Sequence, residues 1–179
     1  FFLLGAASNS VRANSTQNDS RNHFFQNQPG DGYAKIEGRI YYRGKEISSA
    51  NAASFQFLGD GYAKDTWKVY FRGVAVSDAS PSTFQSLGDG YARDAWKVYF
   101  YGKVLSGATA STFKILGNGY GKDSWKVYYL GKEISGASAS SFENQGRGYA
   151  KDNWSSYFRG EKNDRIAGPT TQVLGGQYS

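Results

Sequence analysis

Aromatic and glycine positions recur along this chain with a fixed period of 29 residues. A tyrosine recurs at this interval, and a glycine, a phenylalanine and a tryptophan recur with the same period. The recurring residues are Tyr33, Tyr62, Tyr91, Tyr120, Tyr149 and Tyr178; Gly44, Gly73, Gly102, Gly131 and Gly160; Phe55, Phe84, Phe113 and Phe142; and Trp67, Trp96, Trp125 and Trp154. Repeats of this length are usually single supersecondary units that bury an apolar face only by stacking on neighbours. The pattern predicts five complete units and the start of a sixth.

The second unit shows the sequence of elements best. Its opening Gly59-Asp60-Gly61 predicts a turn in which positive φ is accessible. Aromatic and β-branched residues predict short strands over 62–64 and 67–71, with a third over 74–76. Ser80 and Pro81 are typical of a helix start, so one helical turn is expected there, placing Phe84 in the core.

These elements predict an all-β protein of tandem 29-residue β-meander or hairpin repeats, stacked as a solenoid-like array with short helical turns. A small closed β-propeller is the alternative. Propeller blades usually take about 40 residues or more for four strands, so units of this length fit a propeller less well.

The run Tyr-Ala-Lys-Asp-x-Trp-Lys-Val-Tyr-Tyr/Phe, seen most fully over 62–71 and, with Gly121 in place of alanine, over 120–129, resembles the DKNYY repeat family. The resemblance covers residues 30 to about 160. It implies a bacterial envelope or exported protein of unknown activity, and no catalytic residue carries over. This chain departs from the family by placing tryptophan where a polar turn residue is usual.

Three parts of the chain differ in composition. Residues 1–23 form an N-terminal arm with an apolar start and a polar remainder, residues 24–174 hold the five repeats, and residues 175–179 hold a truncated sixth repeat. The apolar start aligns with the second strand of a repeat, and it consists of Phe1, Phe2, Leu3 and Leu4. The C-terminus offers Leu174 and Tyr178 as the first part of a repeat that lacks this partner.

An unpaired terminal strand is an aggregation hazard unless another strand pairs with it. We therefore expect residues 1–4 of one subunit to complete the sixth repeat of the next, which gives a head-to-tail extracellular filament or surface appendage by strand exchange. The arm could instead close a ring on its own C-terminus, or be an apolar end with no such role.

Composition bears on location more than on activity. The chain has no cysteine and no methionine, a net charge of +6 and a pI of about 9.4. Because no methionine begins the chain, we expect that an upstream segment, most often a secretory signal, has been removed. Packing alone must stabilise a chain without disulfides. No run approaches the roughly 18 apolar residues of a membrane span.

The search for catalytic chemistry points away from an enzyme. His23 is the single histidine, so histidine-based nucleophile systems and metal clusters have too few residues. The aspartates that recur before the tryptophan turn are expected to bond their own turn backbone. Calcium binding at the Gly-Asp-Gly turns is disfavoured because Asp31, Asp60 and Asp89 give way to Asn118 and Arg147. No metal or cofactor is expected.

Tryptophans and lysines are the remaining candidates. The four tryptophans are expected to be partly exposed, and core packing, subunit contact and ligand stacking all stay open for them; they are Trp67, Trp96, Trp125 and Trp154. The phenylalanines and the Val69 position are expected in the core. Lysine or arginine recurs once per unit at Lys35, Lys64, Arg93, Lys122 and Lys151. Interleaved acidic residues favour a solvated face over nucleic-acid binding. The alternative to a homopolymer is thus a monomeric module that binds a surface glycan or an anionic envelope polymer.

Overall fold

A computed structural model of the chain describes residues 31–163. These residues form short β-strands joined by turns, with no helix and no closed barrel among them. The strands make five separate antiparallel sheets, which confirms the prediction of all-β tandem repeats. Over the same range, no helix could span a membrane. The chain divides into two compact units, Phe1–Phe84 and Gln85–Ser179.

The described part of the first unit contains two sheets, each a meander in which strands that follow one another pair antiparallel. The three-stranded sheet consists of β1 (Tyr33–Ile36), β2 (Arg39–Tyr42) and β3 (Lys45–Glu46). The four-stranded sheet consists of β4 (Gln56–Gly59), β5 (Tyr62–Lys64), β6 (Val69–Phe71) and β7 (Val74–Ala75).

The described part of the second unit contains three four-stranded meanders of the same design. The first consists of β8 (Gln85–Gly88), β9 (Tyr91–Arg93), β10 (Val98–Phe100) and β11 (Lys103–Val104). The second consists of β12 (Lys114–Gly117), β13 (Tyr120–Lys122), β14 (Val127–Tyr129) and β15 (Lys132–Glu133). The third consists of β16 (Glu143–Gly146), β17 (Tyr149–Lys151), β18 (Ser156–Phe158) and β19 (Glu161–Lys162).

The pattern predicts three strands per unit, whereas four of the five sheets have four strands. In the second repeat the additional strand is β4, which runs into the glycine turn. Its pairing with β5 shifts register between Phe57 and Gly59, as in a β-bulge. A four-residue strand with such an irregularity lacks the alternation by which strands are recognised in sequence.

Two-residue turns with positive φ close the hairpins on both sides of β5 and β6. Asp60 and Gly61 have φ of 53° and 78°, and Arg72 and Gly73 have φ of 48° and 80°. Positive φ at both central residues is the signature of the type I′ turn, whose twist matches that of the flanking strands. The positive φ expected for the Gly-Asp-Gly turn is thus confirmed.

The segment from Ser80 to Phe84 makes one turn and no helix. The Thr83 amide donates to the Ser80 carbonyl at 3.3 Å, and Pro81 has no amide with which to continue the pattern. Phe84 is nevertheless only 2% exposed, with its ring centroid 5.5 Å from that of Tyr62. The prediction of a helical turn is therefore wrong, because the segment forms a tight turn. The core position predicted for Phe84 is confirmed.

The cores are small and largely aromatic. In the first unit, Tyr33, Ile40, Ala63 and Tyr70 cluster together. Valine at the predicted core position is fully buried in three repeats, and phenylalanine at its own position is buried in three; these residues are Val69, Val98, Val127, Phe84, Phe113 and Phe142. Rings adjacent to one another, such as Tyr120 and Phe142 at 5.6 Å, are tilted, which is a favourable arrangement for aromatic pairs.

A buried tyrosine joins each repeat to the following one within both units. The Tyr120 hydroxyl donates to the Gly148 carbonyl at 2.8 Å and accepts from the Gly160 amide at 3.0 Å. Tyr33 and Tyr91 make the same pair of bonds, to glycines 28 and 40 residues further along the chain. We call this arrangement the tyrosine clamp. Since the hydroxyl both donates and accepts, its loss would leave two backbone groups without a partner.

We expect Tyr120→Phe to lower the free energy of unfolding by about 1–3 kcal/mol, because the Gly148 carbonyl and the Gly160 amide would lose their partner in a largely buried place. Urea unfolding followed by circular dichroism measures the change. Tyr149→Phe is the matched control, since Tyr149 is 43% exposed and no described residue bonds its hydroxyl. Equal losses in the two variants would contradict the clamp.

Candidate ligand-binding surface

The candidate ligand-binding surface consists of the turns that carry the tryptophans. In each of these turns, which joins the second and third strands of a sheet, an aspartate organises the backbone. The Asp65 carboxylate accepts from the Trp67 and Lys68 amides through Oδ1, each at 2.7 Å. Its Oδ2 accepts from the Asn51 amide and the Tyr70 hydroxyl, each at 2.9 Å. One carboxylate therefore fixes the turn, the preceding loop and a core tyrosine at once.

The same turn is present in the later repeats. Asp94, Asp123 and Asp152 accept through Oδ1 from the amides two and three residues ahead, at 2.7 or 2.8 Å. The expectation that these aspartates bond their own turn backbone matches the geometry. Sequence reasoning missed their second role, which is to accept from the loop before the sheet and, in three repeats, from the core tyrosine.

Hydrogen bonds hold these carboxylates in the ionised form. Burial by itself would raise the pKa of Asp65, but amide donors from Asn51 and Trp67, with further donors, bring it below the ordinary value of 3.8. The pKa values of Asp123 and Asp152 are lowered in the same way. The pKa of Tyr70 shifts upward instead. Burial makes the larger contribution and the hydrogen bond to Asp65 the next, and together they raise the pKa of Tyr70 to about 12. The turn is thus charged and intact at neutral pH.

Each tryptophan is held by its backbone while its side chain lies in solvent. The exposed fractions are 74% for Trp67, 82% for Trp96, 78% for Trp125 and 84% for Trp154. Large apolar side chains are rarely left this open at equivalent positions of a repeat, and exposed aromatic groups that recur together are typical of interaction sites. These tryptophans are more exposed than the partial exposure expected from sequence, and they take no part in the core.

The once-per-repeat cations form the expected solvated face only in the first and fifth repeats, where Lys35 and Lys151 are exposed and Lys151 pairs with Glu143. In the three central repeats the cation bonds backbone carbonyls. Lys64 Nζ donates to the Pro81 and Phe84 carbonyls at 2.9 and 3.3 Å, and Lys122 Nζ donates to the Ala139 and Phe142 carbonyls at 2.6 and 3.1 Å. Arg93 Nη1 donates to the Ala110 carbonyl at 3.0 Å. Burial lowers the pKa of Lys122, and neighbouring Lys114 adds to this effect. Lys64, Arg93 and Lys122 therefore stabilise turns and are poorly placed to bind phosphates.

The aspartates of the Gly-Asp-Gly turns also have a structural role. Asp31 accepts from the Gly61 amide at 2.8 Å, and Asp89 accepts from the Gly119 amide at 2.9 Å. Each carboxylate thereby bonds the next repeat. Residues 31–163 hold no group of three or more His, Cys, Asp or Glu side chains arranged to bind a metal ion.

The remaining candidate residues of the assembly site lie outside the described residues. They are Phe1, Phe2, Leu3 and Leu4 of the arm, with Leu174 and Tyr178 of the last repeat. The proposed arm over 1–23 and the truncated repeat over 175–179 lie there as well, so strand exchange stays a prediction.

Comparison with known proteins identifies the repeat. The model of the DKNYY family matches residues 33–162, which is most of the chain and nearly the whole described range. The chain belongs to the DKNYY family. No curated protein and no solved structure matches the chain. In this chain, four of the five DKNYY repeats are four-stranded meanders whose Asp turn presents a tryptophan to solvent.

We expect acid to destabilise this DKNYY array through the turn aspartates. Because the pKa values of Asp65, Asp123 and Asp152 in the folded protein lie below 3.8, the ionised forms stabilise the fold fully above about pH 4, and that contribution is lost as the pH falls through the folded pKa. Urea unfolding at about pH 6 and about pH 3 measures the loss.

Asp65→Asn should be less stable than the parent at pH 6 and should lose less on acidification, since one of the titrating groups is gone. Glu37→Gln, at an exposed position, serves as the control and should follow the parent. An Asp65→Asn variant with the full acid sensitivity of the parent would contradict this role of Asp65.

Proposed function

We propose that this protein is a non-enzymatic binding module at the cell surface or outside the cell, and that its tryptophans hold a surface glycan or cell-wall polymer. The observation that carries the proposal is the exposure of all four tryptophans, 74–84%. Export agrees with the envelope location that the family resemblance implies. The lack of a histidine within residues 31–163 favours binding over catalysis.

Exposed indole rings suit sugars because the C–H face of a pyranose is apolar while its edge is polar. A tryptophan offers a flat apolar surface together with one N–H donor, and aromatic anchors supply much of the binding energy in many interfaces. The Asp65-type turn holds the tryptophan backbone before any ligand arrives, so less conformational entropy is lost on binding.

Repetition suits a polymer better than a small ligand. Trp96, Trp125 and Trp154 occupy equivalent positions of three consecutive sheets in the second unit. A glycan chain that occupies one such position raises the effective concentration of its next segment at another. Several weak contacts between single tryptophans and single sugars then give the whole polymer a higher affinity than any one contact provides.

We expect single Trp→Ala substitutions at positions 96, 125 and 154 to weaken glycan binding by about tenfold each, the factor that corresponds to 1.4 kcal/mol. A glycan array of surface polysaccharides and cell-wall fragments identifies the ligand, and calorimetry measures the change. Because the side chains lie in solvent, the free energy of unfolding should stay within about 0.5 kcal/mol of the parent.

Val74→Ala is the matched control, since Val74 is 70% exposed and lies outside the tryptophan positions. The triple tryptophan variant should lose binding by more than any single variant because multivalency is removed. Unchanged binding in the triple variant would rule out the tryptophan surface.

A second proposal is the head-to-tail filament with strand exchange through Phe1, Phe2, Leu3 and Leu4. It is favoured by Tyr149, which is 43% exposed whereas Tyr33, Tyr91 and Tyr120 are fully buried in their clamps. Tyr149 occupies the clamp position of its repeat, but no described residue supplies the two bonds. A further repeat fits this surface, and such a heterologous contact propagates if it does not close. The residues that would exchange lie outside the described range.

Negative-stain microscopy and size-exclusion chromatography of the protein with and without residues 1–23 test this second proposal. Filaments from the intact chain and monomers from the truncated chain are the expected result. Monomers from both would exclude polymerisation by the arm and leave the binding module as the single proposal.

A further inference from the structure

The residue that follows the exposed tryptophan differs in charge environment from one repeat to another. It is Lys68, Lys97 and Lys126 in the second, third and fourth repeats, and Ser155 in the fifth. In the first repeat, which has no tryptophan, Arg39 stands at the same position. The surface therefore presents three tryptophan–lysine pairs whose surroundings can be compared directly.

Tryptophan and lysine are held together by a single oxygen. Asp65 Oδ1 accepts from the amides of both Trp67 and Lys68, and Asp94 Oδ1 accepts from those of Trp96 and Lys97. The two side chains leave from α-carbons about 3.8 Å apart on a fixed turn. The lysine stem is long and flexible, so its ammonium reaches a ligand that stacks on the adjacent indole.

A carboxylate on the neighbouring strand neutralises this cation in two repeats. Arg39 Nη1 lies 3.3 Å from Glu46 Oε2, and Lys126 Nζ lies 2.7 Å from Glu133 Oε2. Glu46 and Glu133 occupy the same register, opposite Tyr41 and Tyr128. The positive charges of Arg39 and Lys126 are therefore already neutralised within the protein.

The equivalent register positions in the second and third repeats carry no charge. Ala75 lies opposite Tyr70, and Val104 lies opposite Tyr99, and both residues are exposed. Among the described residues, neither Lys68 nor Lys97 takes part in an ion pair. Each of these two turns thus places an exposed indole beside a positive charge that the protein does not neutralise.

Resting on the proposed function, we propose that the Trp67–Lys68 and Trp96–Lys97 pairs are each a subsite for an acidic sugar of a glycan chain. The indole stacks on the sugar ring, and the ammonium binds a carboxylate or phosphate on it by a charge-assisted hydrogen bond. The Trp125 turn, with Lys126 paired to Glu133, and the Trp154 turn, with Ser155, accept neutral sugars.

A nucleic acid fits this surface less well. Phosphate binding gains affinity from many cations that each neutralise one phosphate. Of the basic residues that recur once per repeat, however, Lys64, Arg93 and Lys122 are bound to backbone carbonyls. One free cation beside one ring matches a polymer in which a charged group belongs to a sugar that also stacks.

The experiment compares uronic-acid polymers with their carboxyl-reduced counterparts, and a polysaccharide that carries pendant phosphate monoesters with its phosphatase-treated form, on one array. Both pairs keep the chain length, and the two arms distinguish carboxylate from phosphate. Single-stranded oligothymidylate is included as the nucleic-acid arm. We expect the parent protein to prefer the acidic form by about tenfold in at least one arm, as one charge-assisted hydrogen bond would give.

Three variants and one control locate the preference. Lys68→Gln with Lys97→Gln should remove it, and Ala75→Glu with Val104→Glu should remove it too, by supplying the carboxylates that the first and fourth repeats already have. Glu133→Gln should strengthen binding of the acidic form by freeing Lys126. Lys103→Gln with Lys132→Gln removes the same charge from exposed strand positions and should leave the preference in place.

Each outcome decides between the proposals. Binding of acidic and neutral forms with equal affinity, lost in the triple tryptophan variant, would overturn the acidic-sugar subsites and leave the glycan-binding function standing. Binding of no glycan at all would overturn both. Tighter binding of oligothymidylate than of any glycan would show that the surface serves a nucleic acid and would overturn the inference.

Discussion

The tyrosine clamp is the interaction on which the rest of this structure depends. A single repeat with strands of two to four residues cannot bury its apolar face without a neighbouring repeat. In the clamp, one hydroxyl donates to a glycine carbonyl and accepts from a glycine amide of the next repeat. Close approach is possible because the glycine has no side chain: a Cβ on Gly73 would lie 2.7 Å from Tyr42 Cβ. Tyrosine and glycine therefore recur together.

Because the clamp and the aspartate turn supply the packing and the hydrogen bonds of each repeat, one turn residue is released from any structural task. Nothing in the core requires position 67 or its equivalents to be aromatic, and the first repeat does without a tryptophan there. The tryptophan side chains are then best explained by what they contact outside the fold. The cations divide in the same way, since Lys64 and Lys122 bind carbonyls while Lys68 and Lys97 stand beside exposed indoles.

Much of this fold could be predicted from the sequence, since a 29-residue period in Tyr, Gly, Phe and Trp is conclusive for tandem repeats and Phe84 or Val69 belongs in the core by type. The strand β4 could not be predicted, because its four residues include a β-bulge and show no alternation of apolar and polar side chains. The bonds of Lys64 to carbonyls 17 and 20 residues away have no local signature either. In the candidate site, the 29-residue period predicts the positions of the tryptophans. The ion pair between Lys126 and Glu133 could not be predicted in this way, because it depends on strand register.

Quenching of tryptophan fluorescence by acrylamide, with and without an acidic glycan polymer, tests most directly whether these indoles are free for a ligand. The account predicts that all the tryptophan emission is quenched at the rate of a solvent-exposed indole in the free protein, and that the polymer protects it in a saturable way. Emission already shielded in the monomeric protein, or exposed indoles that no glycan polymer protects, would contradict it.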